Sequence, residues 1–312
     1  MVYQRILVTG ANGLLGQELV RQLSADVTYD VLATGLNTEP RQSADVSFGY
    51  VRMDICDIEA VRRIIEDFAP HSVINCAAMT QVDRCEDERD ECWRINAHGV
   101  KTLARACHSV GSHLIQVSTD FVFDGLQGLY RENDRPNPVN FYGKAKLGGE
   151  NAAREAGMEK WTIVRTNVVY GLSGGLLRDD FVEWVQSRLE AGQPVQVFTD
   201  QWRTPTYSFD LAKGIECLVR YGKGGIYHLS GREYVSMYEF ALAIADTFAL
   251  DKALVQPASA TTVRQRAQRP PRTGLIILKA ETEIDYRPMS MIAALKHLHQ
   301  RLAMRRTAPS AS

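Results

Sequence analysis

The first 170 residues alternate between short apolar runs and amphipathic helical segments, and this alternation restricts the fold more than any other feature of the chain. The apolar runs have the lengths of buried strands, and they cover residues 6–8, 29–34, 50–54, 72–80, 114–117 and 161–169. Strands that alternate with helices form a parallel sheet with right-handed crossovers. The sequence therefore predicts an α/β fold in which six strands form a doubly wound parallel sheet.

Beyond residue 170 the pattern is less regular. Short strands at 196–201 and 225–230 alternate with helices near 180–190 and 210–220. We predict a dinucleotide-binding Rossmann domain over residues 1–170, which also includes the helix near 208–222. Residues 171–312 are predicted to form a smaller α/β lobe that binds the substrate.

Charge and residue spacing exclude several classes of protein. The net charge of −1 gives no reason to expect a nucleic-acid partner. No apolar run reaches about 18 residues, so no membrane partner is expected. The chain begins without a signal peptide, which favours a cytoplasmic location. No His and Cys residues have metal-ligand spacing, so no metal site is predicted.

A glycine-rich turn joins the first strand to the first helix. The predicted cofactor contacts in this turn are Gly10, Asn12, Gly13, Leu14, Leu15 and Gly16. Glycines let the backbone approach a pyrophosphate, which then lies at the positive end of the helix. A structural turn without a ligand is the alternative.

The second strand ends near Asn37, where an NAD site would carry an acidic residue for the ribose. Because no acid is well placed there, the sequence favours NADP over NAD, with Arg41 as a phosphate contact. Asp54 ends the third strand, and Ile55 follows it; Asn37 and Ile55 are also predicted cofactor contacts. Asp54 is either a contact to adenine or a loop cap, and Asp57 is the predicted cap of a helix over residues 58–68. Small residues after the fourth strand would let a cofactor lie across its end, and they are Cys76, Ala77, Ala78 and Thr80.

Acid/base residues follow the fifth strand. Ser118 and Thr119 end this strand, and Tyr142 and Lys146 are four residues apart, so on a helix they share one face. A nearby ammonium favours the phenolate, so we expect a Tyr142 pKa below its usual value of about 10. Such a group can transfer a proton to or from a carbonyl oxygen. Asn96 is unfavourable in mid-helix, which suggests either a functional role or a side chain that faces solvent or hydrogen-bonds to the nearby backbone.

Taken together, TGANGLLG at 9–16, INCAA at 74–78, Asn96, the Ser118-Thr119 pair and YGKAK at 142–146 resemble the extended short-chain dehydrogenase/reductase family. Within it, the segments STDFVFDG, NFYGKAKLGGE and DQWRTPT resemble the dTDP-4-dehydrorhamnose reductases. The resemblance implies that Thr119, Tyr142 and Lys146 are catalytic, with Asn96 holding a proton-relay water. It also implies reduction, by a nicotinamide cofactor, of a nucleotide-linked 4-keto-6-deoxy sugar.

Further residues are expected to bind this small-molecule substrate. Asp120, Phe121, Trp202 and Arg203 are assigned from the resembling segments, and Asp83 and Arg84 from the position that lies near the substrate in the related reductases. At 83–84 the related reductases tend to carry Asp-Lys, and the segment GLSGGLLRDDF lacks their asparagine pair. A basic segment adds Arg264, Arg266, Arg269 and Arg272. Arg269 is expected to grip a diphosphate bidentately, unless the segment is a solvated loop.

Three other functions share much of this pattern. A 4,6-dehydratase would resemble Thr-Asp-Glu at the strand end, but here the triplet ends in Phe121, which disfavours dehydration. A sugar-nucleotide 4-epimerase needs little beyond the hydroxyl, Tyr and Lys, and stays open. The regulatory β subunit of methionine adenosyltransferase also resembles this branch, so a non-catalytic NADP-binding subunit stays open too. A homodimer is the candidate assembly.

Overall fold

A computed structural model describes residues 4–41, 47–172, 180–260 and 265–307, with the backbone alone at 306–307. The strands are β1 Gln4–Thr9, β2 Tyr29–Gly35, β3 Gly49–Arg52, β4 Ser72–Asn75, β5 His113–Thr119, β6 Gly128–Tyr130, β7 Trp161–Thr166, β8 Val169–Tyr170, β9 Val195–Phe198, β10 Trp202–Arg203, β11 Thr206–Tyr207, β12 Gly225–His228, β13 Val235–Ser236, β14 Val255–Ala258 and β15 Thr273–Leu275. The α-helices are α1 Leu14–Ser24, α2 Ile58–Phe68, α3 Val82–Asp87, α4 Arg89–Trp93, α5 Val100–Val110, α6 Phe141–Glu155, α7 Phe181–Glu190, α8 Ser208–Arg220, α9 Met237–Thr247, α10 Leu278–Glu283 and α11 Met291–Thr307. A π-helical turn, Arg94–Gly99, connects α4 to α5, and 3₁₀ turns cover Asp120–Val122 and Lys252–Leu254.

Seven parallel strands form the central sheet, in the order β12-β7-β5-β4-β1-β2-β3. The order reverses between β1 and β4, as in a doubly wound Rossmann sheet. The predicted fold class is therefore confirmed. The central sheet has seven strands instead of the predicted six, because β12 also pairs with β7. Strand β12 was predicted to lie in the substrate lobe, since it follows residue 170 in the chain. The predicted fourth strand was too long, since β4 ends at Asn75 and residues 76–80 are a loop.

Helices pack on both faces of this sheet. On one face α1 and α8 contribute Leu19 and Ile215 to a buried apolar cluster, and on the other α2 and α5 contribute Val61 and Leu103. Helix α2 has the predicted bounds because Asp57 caps it, accepting a hydrogen bond from the Ala60 amide at 3.0 Å. Because helices cover both faces of the sheet, the ends of its strands remain accessible.

A separate apolar cluster lies in the C-terminal part, where α7, α9 and α11 pack with β9 and β14. A capping box between Ser236 and Glu239 begins α9. The domain boundary at residue 170 stays a prediction; α8 and β12, which follow it in the chain, lie with the central sheet. Within the described ranges no helix is long and apolar enough to cross a bilayer.

Candidate active site

A cleft of about 660 Å³ lies at the carboxyl ends of the parallel strands. Residues that follow β1, β4, β5 and β7 form its wall together with the first turns of α1 and α6. The predicted site residues that line it are Gly10, Gly13, Leu14, Leu15, Gly16, Cys76, Ala78, Thr80, Ser118, Thr119, Asp120, Phe121, Tyr142, Lys146 and Arg269. One cleft thus joins the predicted cofactor turn to the predicted acid/base residues.

The turn between β1 and α1 depends on glycine. Gly10 has φ +63°, and a Cβ there would lie 2.6 Å from the Ala77 amide nitrogen. A Cβ on Gly16 would lie 2.2 Å from the Gly10 carbonyl oxygen. No described side chain caps the N-terminus of α1, so its first amides can bind an anion in the cleft. The turn therefore fits the pyrophosphate of a dinucleotide.

Substituting Gly10 tests this fit. We expect Gly10→Ala to abolish cofactor binding and to lower the melting temperature, because both its positive φ and the contact with Ala77 exclude a Cβ. Gly111→Ala is the matched control, since Gly111 has φ +71° but nothing within 4 Å of the built Cβ. It should cost only the left-handed strain, about 1–2 kcal/mol. Cofactor titration by fluorescence with thermal unfolding measures both, and equal effects of the two variants would contradict the assignment.

Asn12 lies behind the turn and holds the loop that follows β2. Its Oδ1 accepts a hydrogen bond from the Arg41 amide at 2.8 Å, and its Nδ2 donates to the Tyr50 hydroxyl at 3.0 Å. Arg41 lines the cleft, whereas Asn37 is exposed. Asn12 therefore positions Arg41 at the cofactor end of the cleft without lining the cleft itself.

Asp54, Ile55 and Ala77 do not line the cleft either. The Asp54 carboxylate accepts a hydrogen bond from the Cys56 amide at 2.9 Å, which is the loop-capping contact. Ile55 is buried in the apolar cluster under α5. Ala77 packs against Gly10. The adenine contact of Asp54 and the cofactor contacts of the other two stay predictions.

Thr119, Tyr142 and Lys146 come together as predicted. Thr119 ends β5, Tyr142 is in the first turn of α6, and Lys146 is one turn further on. The Thr119 hydroxyl is hydrogen-bonded to the Tyr142 phenol, and the Tyr142 ring packs edge-on against Phe121, with centroids 6.0 Å apart. Lys146 Nζ donates to the Val117 carbonyl at 2.7 Å. Two hydroxyls and one ammonium thus face the same part of the cleft.

The pKa of Tyr142 is shifted upward, whereas the sequence predicted a downward shift. Burial raises the pKa of the Tyr142 phenol, and the hydrogen bond with Thr119 only partly opposes this. Burial also lowers the pKa of Lys146 to about 8, with Glu150 acting in the opposite sense. Tyr142 is therefore a protonated acid at neutral pH, which suits it to donate a proton to a reduced carbonyl.

Asn96 is buried in the π-helical turn and does not line the cleft. Its side-chain amide donates to the Met79 carbonyl at 2.9 Å and accepts from the Met79 amide at 3.0 Å. The solvent-facing alternative is therefore wrong, because both ends of the amide bind the loop after β4. This placement favours a role in shaping the cleft wall, and the relay water stays a prediction.

Asp120 connects the catalytic strand to the C-terminal segment. It accepts hydrogen bonds from the hydroxyls of Thr119, at 3.1 Å, and of Thr273. Burial raises the pKa of Asp120, while Arg203 opposes the shift. Arg203 is buried and donates to the Pro270 and Trp202 carbonyls, each at 2.8 Å.

Neither Trp202 nor Arg203 lines the cleft. The Trp202 ring packs against Tyr234, and its amide donates to the Pro271 carbonyl at 2.8 Å. Because the Arg203 guanidinium is already bonded to internal carbonyls, these contacts favour a structural role over the predicted substrate contact.

Residues 265–272, which we call the strap, contribute Arg269 to the cleft wall. Arg269 lines the cleft and forms a bidentate pair with Asp83, with Nη2–Oδ2 at 2.7 Å. Asn140 caps α6 and donates to the Gln268 carbonyl at 2.8 Å. Asp83 therefore positions Arg269. Two other predicted features, Arg264 and most of the segment GLSGGLLRDDF, lie outside the described residues.

Arg84 was predicted to bind substrate, but it does not line the cleft. Its guanidinium pairs with Glu88 at 2.7 Å, and both side chains are exposed. This ion pair favours a surface role for Arg84, and its substrate contact stays a prediction.

Several cleft residues were not predicted. They are Gln81, Val82, Val117, Thr166, Asn167, Val168, Val169 and Asp180. The residues after β7 could have been predicted, because ligands of open α/β sheets bind beyond the carboxyl ends of the parallel strands. Val168 has φ +37°, unusual for a β-branched residue and typical of a functional loop. Asp180 caps α7, and burial raises its pKa to about 6.

A doubly wound sheet, a glycine turn and a Thr-Tyr-Lys set in one cleft define an extended short-chain dehydrogenase/reductase. The chain matches the family model for the RmlD substrate binding domain over residues 4–304, and it belongs to that family. The predictions of this class and of an NAD(P)-dependent oxidoreductase are confirmed.

Solved structures and sequence relatives agree with this assignment. A dTDP-4-dehydrorhamnose reductase from Clostridium acetobutylicum is 32% identical, with a TM-score of 0.86 over 96% of this chain and 100% of that one. The Bacillus anthracis enzyme of the same name, in complex with NADP, is 31% identical, with a TM-score of 0.84 over 96% and 99%. Methionine adenosyltransferase 2 subunit beta from Danio rerio is 32% identical over 88% of this chain and 83% of its own.

Proposed function

We propose that this protein uses NADPH to reduce the 4-keto group of a nucleotide-linked 4-keto-6-deoxyhexose, as a dTDP-4-dehydrorhamnose reductase that forms dTDP-L-rhamnose. The observation that carries the proposal is the single cleft shared by the glycine turn and the buried Thr119, Tyr142 and Lys146. The two solved reductases with the same fold support it.

Each catalytic side chain has a distinct part in this reaction. The cofactor supplies the hydride that reduces the keto carbon. Tyr142 donates its phenolic proton to the oxygen as negative charge develops there, and Thr119 supplies a second hydrogen bond to the same oxygen. Lys146 holds the nicotinamide ribose with its ammonium. Hydride and proton together convert the ketone to an alcohol.

The preference for NADP is part of the proposal. Arg41 lines the cleft just after β2, at the end where the 2′-phosphate would lie. Asn37 stands where an NAD site would have an acid, and the B. anthracis relative was solved with NADP. We expect Arg41→Ala to weaken NADPH binding while leaving NADH binding nearly unchanged. Equal losses for the two cofactors would contradict the phosphate contact.

Arg269 is proposed to bind the substrate diphosphate. Losing hydrogen bonds to a charged group costs about 1.5–3 kcal/mol, so Arg269→Ala should raise KM for the sugar nucleotide by roughly 10- to 100-fold. The Kd for NADPH should change little. Arg266→Ala is the matched control, because Arg266 lies on the same strap but is exposed and pairs with Asp87. Steady-state kinetics test this, and an unchanged KM for Arg269→Ala would refute the contact.

A regulatory subunit is the second candidate, because the methionine adenosyltransferase relatives cover most of this chain. It predicts cofactor binding without turnover, and capture of a synthetase catalytic subunit in a pull-down. The intact Thr119, Tyr142 and Lys146 set favours the enzyme. Turnover of the keto sugar nucleotide would decide for the reductase.

We also propose that the protein is located in the cytoplasm and forms a homodimer. All six cysteines are free thiols, as expected in the reducing cytoplasm. Among the described residues no group of three or more acidic, His or Cys side chains forms a metal site. The homodimer stays a prediction, and light scattering after gel filtration tests it.

A further inference from the structure

Glu150 is a buried carboxylate that the proposed reaction does not use. It lies on α6 one turn after Lys146 and is completely buried. Both of its oxygens bind Arg165 of β7, at 2.9 and 2.8 Å. Oε1 also accepts a hydrogen bond from the Ser118 hydroxyl at 2.6 Å. A buried carboxylate that accepts three hydrogen bonds beside the cleft suggests a functional role in addition to packing.

The contacts of Glu150 and Lys146 follow one pattern. Lys146 Nζ binds the Val117 carbonyl, and Glu150 binds the hydroxyl of the next residue, Ser118. Successive turns of α6 are thereby attached to successive residues at the end of β5. These are the two elements that carry Tyr142 and Thr119, so the attachment fixes their separation.

We propose that Glu150 is a positioning residue for Lys146: it attaches α6 to the end of β5 and places a buried negative charge one helical turn from the Lys146 ammonium. The inference rests on the proposed cofactor role of Lys146 but not on the identity of the sugar.

Glu150 is the acidic group that acts most strongly on Lys146. The other titratable groups acting on Lys146 are the thiols of Cys76, Cys85 and Cys92. Burial raises the pKa of Cys76, while the hydrogen bond between Cys85 and Cys92 raises the pKa of Cys85 and lowers that of Cys92. Burial lowers the pKa of Lys146 to about 8, and Glu150 is the largest influence that raises it. Arg165 pairs with Glu150 and stacks on Phe123, so removing Arg165 would leave the Glu150 charge unpaired.

The pH dependence of NADPH binding tests the proposal. Below its pKa Lys146 is an ammonium that attracts the anionic cofactor; as pH rises through about 8 it loses the proton, so affinity should fall there. In Glu150→Gln this midpoint should move down by roughly one pH unit, since one opposing charge shifts a pKa by about 1–3 units. In Arg165→Met it should move up, because the charge of Glu150 is no longer neutralised.

The two variants break the same buried ion pair, so they control for each other. A purely structural role predicts weaker binding in both with the midpoint unchanged, or shifted the same way, and either result would overturn the proposal. If Glu150→Gln does not fold, the upward shift in Arg165→Met still decides. Cofactor fluorescence titrations between pH 7 and 9.5 provide the readout, with circular dichroism to verify folding. A wild-type protein that binds no NADPH at any pH would refute the proposed function itself and, with it, this inference.

Discussion

Tyr142→Phe should lower kcat by roughly 10²- to 10⁴-fold, the usual contribution of a positioned general acid. The phenol is the protonated group beside Thr119, and burial raises its pKa, so it is the proton donor available at neutral pH. The ring packs on Phe121 through its carbon atoms, which phenylalanine retains. Binding of NADPH should therefore stay close to that of the wild type. Stopped-flow or steady-state NADPH oxidation measures the loss.

Tyr130→Phe is the matched control for this substitution. Tyr130 is also buried, but its hydroxyl donates to Asp124 at 2.6 Å outside the cleft. Its loss should reduce stability slightly and leave kcat unchanged. Turnover by Tyr142→Phe within a few fold of the wild type would show that another group donates the proton.

Lys146→Met should damage both cofactor binding and turnover. The substitution keeps most of the side-chain volume and removes the charge that would hold the ribose. Hydrogen bonds to a charged group are worth about 1.5–3 kcal/mol, so Kd for NADPH should rise by roughly 10- to 100-fold. The fall in kcat/KM should be larger, because the ribose would also be misplaced relative to Tyr142.

Lys144→Met provides the comparison on the same helix, since Lys144 is exposed and outside the cleft. It should bind NADPH and turn over as the wild type does. Normal NADPH affinity in Lys146→Met would rule out the ribose contact, and with it the position assigned to the nicotinamide.

Local patterns in the sequence predicted six of the seven strands of the central sheet and the glycine turn that lines the cleft. Helix α2 has the predicted bounds because Asp57 and the apolar period are both local signals. The length of the fourth strand was overestimated. The small residues after Asn75 are compatible with a strand, but they form the loop that packs against Gly10. Strand β12 belongs to the sheet through pairing with β7, a long-range contact that no local pattern specifies.

The substrate end was less predictable for the same reason. Asp83 and Arg269 were each predicted, but their pairing joins residues 186 positions apart and only the fold brings them together. Arg203 and Trp202 were assigned to substrate, whereas their contacts lie with the strap. The predicted direction of the Tyr142 pKa shift was wrong because burial raises the pKa, Asp120 adds to the increase, and the hydrogen bond with Thr119 opposes it only partly.

The most direct test of the central claim is the rate of NADPH oxidation with dTDP-4-dehydro-6-deoxy-L-mannose, followed by absorbance, with NADH in parallel. The reductase reading predicts rapid oxidation that needs the sugar nucleotide, yields one alcohol product per NADPH and is faster than with NADH. Tight NADPH binding without any oxidation would contradict it and favour the regulatory subunit.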